Sequence, residues 1–336
     1  MRKGFVTAGT WCVDRNITVD SWPKEDMAAV VRNVELAGGG CGCNFAVDIR
    51  KLDPTMPVAT QGLIGAGEMG DFLIGIADEY GIDRKGLHRT ADAQTQMTDA
   101  YVSTQTGRRT HILFFAAADL LTPDHFDFSD CSAKVLHLGL PGIHKRMDAP
   151  WGDDANGWVA VLRKAKAAGL KTNFEFVASP EEKIREVGLP CLQYLDTLVV
   201  NDFEIGALAR RQTVDDGVTD VAAVFEAARD VLAKGAMDLV AVHFTSGAVL
   251  VTRDGTEVFQ PSVKVRDEDR KGANGAGDAF AAGFQYGIHE GWSGQDALKL
   301  GHATAAACLR SVGTYTTVGT VAECLDLAQQ WGWREA

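Results

Sequence analysis

From about residue 133 onward the chain alternates short apolar runs with segments of helical periodicity, and this alternation restricts its fold more than any other feature. Lys134–Leu140 is apolar enough for a buried strand. Asn156–Ala168, rich in Ala and Lys and stopped by Gly169, has helical spacing. Lys171–Val177 is strand-like, and Pro180–Val187 reads as a short helix with Ser179 as its cap and Pro180 in its first position. Thr197–Val200 is a short apolar strand ending at Asn201, Val221–Lys234 is a strongly amphipathic helix, and Leu239–Phe244 is another buried strand. Strands separated by helices of this length pair in parallel, with the helices covering a central sheet.

The first third differs. Thr7–Val19, Val30–Leu36, Gln96–Gln105 and Thr110–Phe115 read as strands with exposed polar partners, and Thr106-Gly107-Arg108-Arg109 as a hairpin turn between two of them. A small antiparallel sheet attached to the α/β core follows. Such a sheet suits a lid, and a lid suits phosphoryl transfer, where water in an open site competes for the phosphate. A content of 46% hydrophobic residues in 336 supports one large α/β domain or two smaller ones and excludes a disordered chain.

Charge and cysteines narrow the partners. A net charge of −12 with no basic block argues against nucleic acid or an acidic membrane surface. Met1–Val6 reads as the start of a first strand without a signal-peptide pattern, and no apolar run approaches the roughly 20 residues of a membrane span. Seven scattered cysteines, an odd number, point to reduced thiols and a cytoplasmic protein. Cys41-Gly42-Cys43 lacks a second pair at metal-ligand spacing, which argues against zinc.

The chemistry concentrates at Gly275-Ala276-Gly277-Asp278, which opens the apolar run Ala279–Phe284. A turn with little side-chain bulk leaves backbone N–H groups uncovered where a helix begins, an arrangement that binds an anion such as phosphate. The aspartate adds a carboxylate within reach of whatever receives the phosphate, so hole and base together suit phosphoryl transfer to a hydroxyl. The ordinary alternative is an N-capping Asp after a flexible turn.

Other constellations carry less. Gly38-Gly39-Gly40-Cys41-Gly42-Cys43-Asn44 precedes the helix-like Phe45–Leu52; its glycines permit close backbone approach to a ligand, and Asn44 offers a donor and an acceptor suited to hydroxyls. Asp14, after the apolar Phe5–Val13 strand that Gly9 breaks, can accept from a sugar diol. Asn201-Asp202-Phe203-Glu204 follows a buried strand at the edge where open parallel sheets bind ligands, and Glu204 can orient the water shell of a magnesium ion. The same acids would also sit well at a plain helix N-terminus. Gly65-Ala66-Gly67-Glu68-Met69-Gly70 after Val58–Ile64 matches the dinucleotide fingerprint. The acidic residue that pattern needs, about 20 positions on at the end of a second strand, falls near Asp83, and Asp78–Ile82 before it is no buried strand.

Taken together, Gly39-Gly40-x-Gly42-x-Asn44, Asn201-x-x-Glu204 and Asn274-Gly275-Ala276-Gly277-Asp278-Ala279-Phe280 resemble the ribokinase-like (PfkB) carbohydrate kinases in order and spacing over essentially the whole chain. The resemblance implies a three-layer α/β/α core with a central, mostly parallel sheet and a small β lid. Residues 1–336 would then be a single kinase domain with lid strands inserted from about 10–37 and 89–116. It implies transfer of the ATP γ-phosphate to a hydroxyl of a sugar or sugar-like substrate, with Mg²⁺ bridging the nucleotide phosphates. Carried over by position, Asp278 is the catalytic base and Gly275, Ala276 and Gly277 are the anion hole. Asp14, Gly39, Gly40 and Asn44 are sugar-binding positions, and Asn201 and Glu204 belong to the phosphate and magnesium region. Gly247, in Thr245-Ser246-Gly247-Ala248, is part of the nucleotide wall, and His302 stands where the family often has Asn near the adenine. Lid-to-lid dimers in the family imply a homodimer here.

The chain also departs from the family. Gly272-Ala273 replaces the usual Asp-Thr, whose Asp helps hold an activating monovalent cation in related kinases. Phe244 stands for the first glycine of the nucleotide-wall turn, and Cys41 for Lys or Ser. No Gly-x-x-x-x-Gly-Lys-[Ser/Thr] sequence is present, so the phosphate cradle is not a P-loop. The lid and residues 139–150 match no subfamily pattern, which leaves the sugar open. Two other readings stand beside the kinase: a dinucleotide-dependent oxidoreductase using Gly65–Gly70, and a non-catalytic sugar- or nucleoside-binding protein on the same fold.

Overall fold

The computed structural model describes residues 2–107 and 109–335; Arg108, in the turn read at Thr106–Arg109, lies outside them. The chain runs from β1 (Phe5–Gly9) into β2 (Cys12–Val19) and β3 (Val31–Gly39), then through α1 (Cys41–Leu52), β4 (Val58–Gly65), α2 (Glu68–Glu79) and β5 (Asp83–Thr90). β6 (Met97–Ser103) and β7 (Arg109–Phe114) follow. The expected alternation then appears: β8 (Val135–Gly139), α3 (Gly157–Ala167), β9 (Lys171–Phe174), α4 (Glu181–Gly188), β10 (Thr197–Asn201) and α5 (Asp202–Ala209). A short ribbon, β11 (Val214–Asp215) and β12 (Val218–Thr219), leads to α6 (Val221–Lys234), β13 (Leu239–Phe244), β14 (Gly247–Thr252) and β15 (Glu257–Pro261). Last come α7 (Ala276–His289), α8 (Gly294–Cys308) and α9 (Val321–Trp331).

Nine strands form one sheet in the order β15-β14-β13-β10-β9-β8-β1-β4-β5, parallel from β13 to β5, with β14 and β15 antiparallel. Alternate residues feed two separate cores. Phe5, Ile64 and Val199 pack with α1, α2, α7, α8 and α9 on one face. Val6, Leu136, Leu138 and Val200 pack with α3, α4, α5 and α6 on the other. Burial on both faces is why these strands read as continuous apolar runs.

Four strands in the order β3-β2-β6-β7 make the lid. The expected antiparallel sheet is corrected in one respect: β2 and β6 run parallel. Between β3 and β6 the chain passes through α1, β4, α2 and β5, and a crossover that long permits parallel pairing. The single strand read at Thr7–Val19 is two. It breaks at Gly9, whose φ of 111° lies outside the range of side-chain-bearing residues, so the chain turns from core to lid there. Asp14 therefore lies within β2 rather than after a strand.

Other boundaries shift locally. α1 begins at Cys41, four residues before the expected start at Phe45, and so takes Asn44 into its first turn. β9 ends at Phe174, and Pro180, not Ser179, occupies the cap of α4. β5 was not anticipated because it is an edge strand with Leu87 as its one buried residue, which leaves no apolar run to detect.

Phe45 links these layers. It is fully buried on α1, stacks on His137 of β8 with ring centroids 3.8 Å apart, and meets Phe5 of β1 edge-on at 5.6 Å. Phe45→Ala is expected to destabilise the fold by about 3–5 kcal/mol. Urea unfolding measures this, and a loss below ~1 kcal/mol would contradict the packing described.

Candidate active site

Gly275 is the N-terminal cap residue of α7, with φ 73° and no side-chain hydrogen bond to the helix end. A Cβ at Gly275 would lie 2.3 Å from the Thr314 carbonyl oxygen, so only glycine fits. Asp278 lies in the first turn and does not cap the helix, which removes the ordinary explanation for an aspartate at this position. Ala276 and Gly277 line a cavity of about 410 Å³. Their place in the first turn turns the positive end of the helix toward that cavity.

Asp278 reaches the other way. Its Oδ2 accepts from Nδ2 of Asn44 at 2.8 Å, joining the first turns of α7 and α1. Asn44 is buried, and its Oδ1 has no partner among the described residues. Burial, and then the Glu175 carboxyl beside it, push the Asp278 carboxyl well above the usual carboxylate range; the Asn44 N–H and His137 act in the opposite sense.

The other residues expected to bind sugar gather at the seam of lid and core. Gly39 ends β3 and Gly40 caps α1. A Cβ on Gly39 would fall 2.4 Å from the Asp14 carboxyl, so that carboxyl packs on the Gly39 backbone. The loop before α9 closes onto the same seam, with the Tyr315 hydroxyl accepting from Gly38 N at 3.2 Å and Thr314 Oγ1 donating to Gly38 O at 3.1 Å.

Asn201, His243, Phe280 and His302 also line the cavity. Phe280 lies between the two imidazoles, with ring centroids 4.9 Å from His243 and 5.0 Å from His302. Burial pulls His243 down to about 4 and His302 to about 3, so both rings are neutral at neutral pH. His302 Nε2 is buried without a partner among the described residues. Arg270 supplies a cation to the lining. Gly247 is not in the lining: it opens β14 after a two-residue turn, packed against Phe259, while Phe244 and Thr245 face the cavity.

Asn201 and Glu204 form a reciprocal cap on α5. Asn201 Oδ1 accepts from Glu204 N at 2.8 Å, and Glu204 Oε2 accepts from Asn201 N at 3.0 Å. Burial pushes Glu204 up to about 7. Among the described residues no group of three or more His, Cys, Asp or Glu could hold a metal ion. A magnesium ion would therefore take its oxygens chiefly from phosphates and water, which fits its usual mode of binding. Cys41 and Cys43 are fully buried, and burial raises both thiols well above their ordinary value, so neither is poised as a nucleophile.

Sequence reasoning missed Glu175, His137, His243 and Phe280. Glu175 had a readable signal. It is a carboxylate directly after β9, at the carboxyl edge of the sheet, the argument that singled out Asn201 and Glu204. The Gly65–Gly70 turn does connect β4 to α2, and β5 runs parallel to β4. A Cβ on Gly65 would strike Thr95 N at 2.4 Å and Gly65 N donates to Thr95 Oγ1 at 3.1 Å, so protein packs on the Gly65 end of the turn, while residues 66–69 border a cavity of about 710 Å³. Asp83 starts β5 instead of ending it, so it is not placed as the ribose partner of a dinucleotide site.

The sequence matches the pfkB family of carbohydrate kinases over residues 3–320. The ribokinase of Haemophilus influenzae is 23% identical over 338 residues, spanning 98% of this chain and 99% of that protein. The adenosine kinase of Schizosaccharomyces pombe is 29% identical over 291 residues, spanning 84% of this chain and 82% of that protein. The structure of Arabidopsis thaliana ribokinase complexed with ribose and ATP has the same fold, with a TM-score of 0.79 at 20% identity over 98% of this chain and 99% of that one. Because the family match runs through lid and core alike, the chain belongs to the pfkB family of carbohydrate kinases and is a sugar or nucleoside kinase.

Proposed function

We propose that this kinase moves the γ-phosphate of ATP to a primary or anomeric hydroxyl of a sugar or sugar-like substrate, with Asp278 as the base. One observation carries the reading: Asp278 stands in the first turn of a helix whose neighbouring residues open onto a cavity, while its carboxyl reaches Asn44 under the lid. Asp278 would accept the hydroxyl proton. The first-turn amides of Gly275–Gly277 would stabilise charge on the moving phosphoryl group. Asp14, Gly39, Gly40 and Asn44 would hold the substrate, and the unpartnered Oδ1 of Asn44 is a ready acceptor for one of its hydroxyls. His302 and Gly247 would border the adenine end, His302 in the lining and Gly247 one residue behind it. Asn201 would face the phosphates, and Glu204 would order water around Mg²⁺. Bound Mg²⁺ supplies neutralisation of phosphate charge.

The lid and core would work as one kinase domain over residues 1–336, and free thiols at all seven cysteines suit a reducing cytoplasm. Val31, Val34 and Leu36 on β3 and Ile112 and Phe114 on β7 are large apolar residues left exposed, which suits pairing of two lids in a homodimer. The direct test of function is an ADP-release screen over pentoses, hexoses, keto-sugar acids and nucleosides. Release dependent on one of these classes supports the reading, and none above the no-acceptor rate refutes it.

Asp278→Asn is expected to cut turnover by about 10²–10⁴-fold, roughly 3–5 kcal/mol of barrier, with ATP and acceptor still bound. Its melting temperature should hold, because Gly275 rather than Asp278 caps α7. Single-turnover kinetics and calorimetry separate the cases; a variant keeping more than about a tenth of wild-type turnover is no base mutant. Glu204→Gln keeps an oxygen for the Asn201 N–H and should weaken the response to free Mg²⁺ more than acceptor binding, so an unchanged magnesium curve would take Glu204 out of the site. Potassium should stimulate little, since Gly272 lacks the carboxylate that related kinases place there. Rates in potassium, sodium and tetramethylammonium at equal ionic strength test this, and a several-fold gain specific to potassium would contradict it.

A further inference from the structure

One row of polar side chains crosses the sheet beneath Asp278. Thr60 of β4, Thr7 of β1, His137 of β8, Asn173 of β9 and Thr197 of β10 are register partners on five adjacent parallel strands. All five are buried. A parallel sheet covered on both faces ordinarily carries apolar residues at such positions, so this row must satisfy its own hydrogen bonds.

On one side of His137 those bonds run in a single direction. Gln285 of α7 donates from Nε2 to Thr197 Oγ1 at 2.8 Å, and Thr197 Oγ1 donates to Asn173 Oδ1 at 3.0 Å. Asn173 Nδ2 donates to His137 Nδ1 at 2.9 Å. Burial pulls His137 down to about 3, so its ring is neutral, and a neutral imidazole that accepts at Nδ1 carries its proton on Nε2. That nitrogen faces Oε2 of Glu175 at 2.8 Å, short of the alignment of a full hydrogen bond, and neither atom has another partner among the described residues. The Glu175 carboxyl in turn lies beside that of Asp278 and acts on it directly. The row thus ends on a pair of adjoining carboxyls, one of them the proposed base.

We propose that Glu175 is a positioning residue that shares a proton with Asp278 and so sets how strongly the base holds the proton it takes from the acceptor. The proposal rests on the kinase reading above. In the transfer, the acceptor O–H bond breaks and its proton bonds to the Asp278 carboxylate. The oxygen's electron pair forms the new O–P bond, and the bond from γ-phosphorus to its bridging oxygen breaks, its pair leaving on ADP. Between two carboxylates the arriving proton relieves repulsion and is held by both. The His137 N–H gives Glu175 a fixed neighbour throughout.

Other titratable groups that act on the pair come from several elements. Asp48 and Cys41 of α1 are pushed well above their ordinary values by burial. Glu204 of α5 adds repulsion to both carboxyls, and His137 of β8 is neutral. Burial, with Glu204 adding to it, raises Glu175 to about 7. With the pair raised, activity is present above its upper apparent pKa and is lost as pH falls through it.

Glu175→Gln removes one negative charge and presents an amide donor to Asp278, while its carbonyl still faces the His137 N–H. The acid limb of kcat should move to lower pH by about one unit or more. The plateau should fall by no more than about tenfold, short of the ~10²–10⁴-fold expected for Asp278→Asn. Glu175→Asp should return the limb toward wild type. Infrared spectra of the protein without substrate provide an independent arm. The carbonyl stretch of a protonated carboxyl that persists to neutral pH should weaken in Glu175→Gln and in Asp278→Asn alike. An unmoved acid limb in Glu175→Gln at wild-type melting temperature would overturn the proposal, as would an infrared band lost in only one of the two variants. If no acceptor supports ADP release, the kinase reading fails and the infrared arm alone decides whether the two carboxyls share a proton.

Discussion

The hydrogen bond from Asn44 to Asp278 is the contact on which the rest of the site depends. It ties the first turn of α1, which follows directly from lid strand β3, to the first turn of α7, whose Ala276 and Gly277 face the cavity. A carboxyl held among protein groups is costly unless donors meet it, and here an amide N–H does so. The same contact fixes the distance between the helix end that would hold a phosphate and the seam that would hold its acceptor. Proximity of this kind is the main thing a protein can supply to phosphoryl transfer.

The sheet beneath gives that contact its rigidity. Its two apolar cores hold α1 and α7 on one face and α3 to α6 on the other, and Phe45 stacks α1 directly on His137. The site stands at the carboxyl edge of β9 and β10, where the strands end and Glu175 and Asn201 emerge. The polar row through Thr7, His137, Asn173 and Thr197 departs from a largely apolar layer, and it leads to the adjoining carboxyls of Glu175 and Asp278.

Much of this was legible in the sequence for a local reason. Buried parallel strands and amphipathic helices repeat signals over a few residues, so Thr197–Val200, Val221–Lys234 and Leu239–Phe244 could be read directly, and the glycines of 39–42 and 275–277 mark turns by themselves. What stayed hidden is set by distant partners. That β2 pairs in parallel with β6 depends on a crossover of some eighty residues' chemistry rather than on either strand. β5 survives as a strand only because β4 offers it an edge. The row linking His137 to Gln285 joins residues far apart in the chain, and no window of sequence contains it. Asp14 was picked out for a strand end that does not exist; it lies within β2, with its carboxyl against the Gly39 backbone.

The central claim is that Asp278 directs a phosphoryl group to a carbon-bound hydroxyl and away from water. Phosphorus NMR of the wild-type enzyme with ATP, Mg²⁺ and the acceptor that releases ADP tests it most directly. The account predicts a phosphomonoester resonance growing in step with ADP, with little inorganic phosphate. ADP accompanied by inorganic phosphate alone would contradict it.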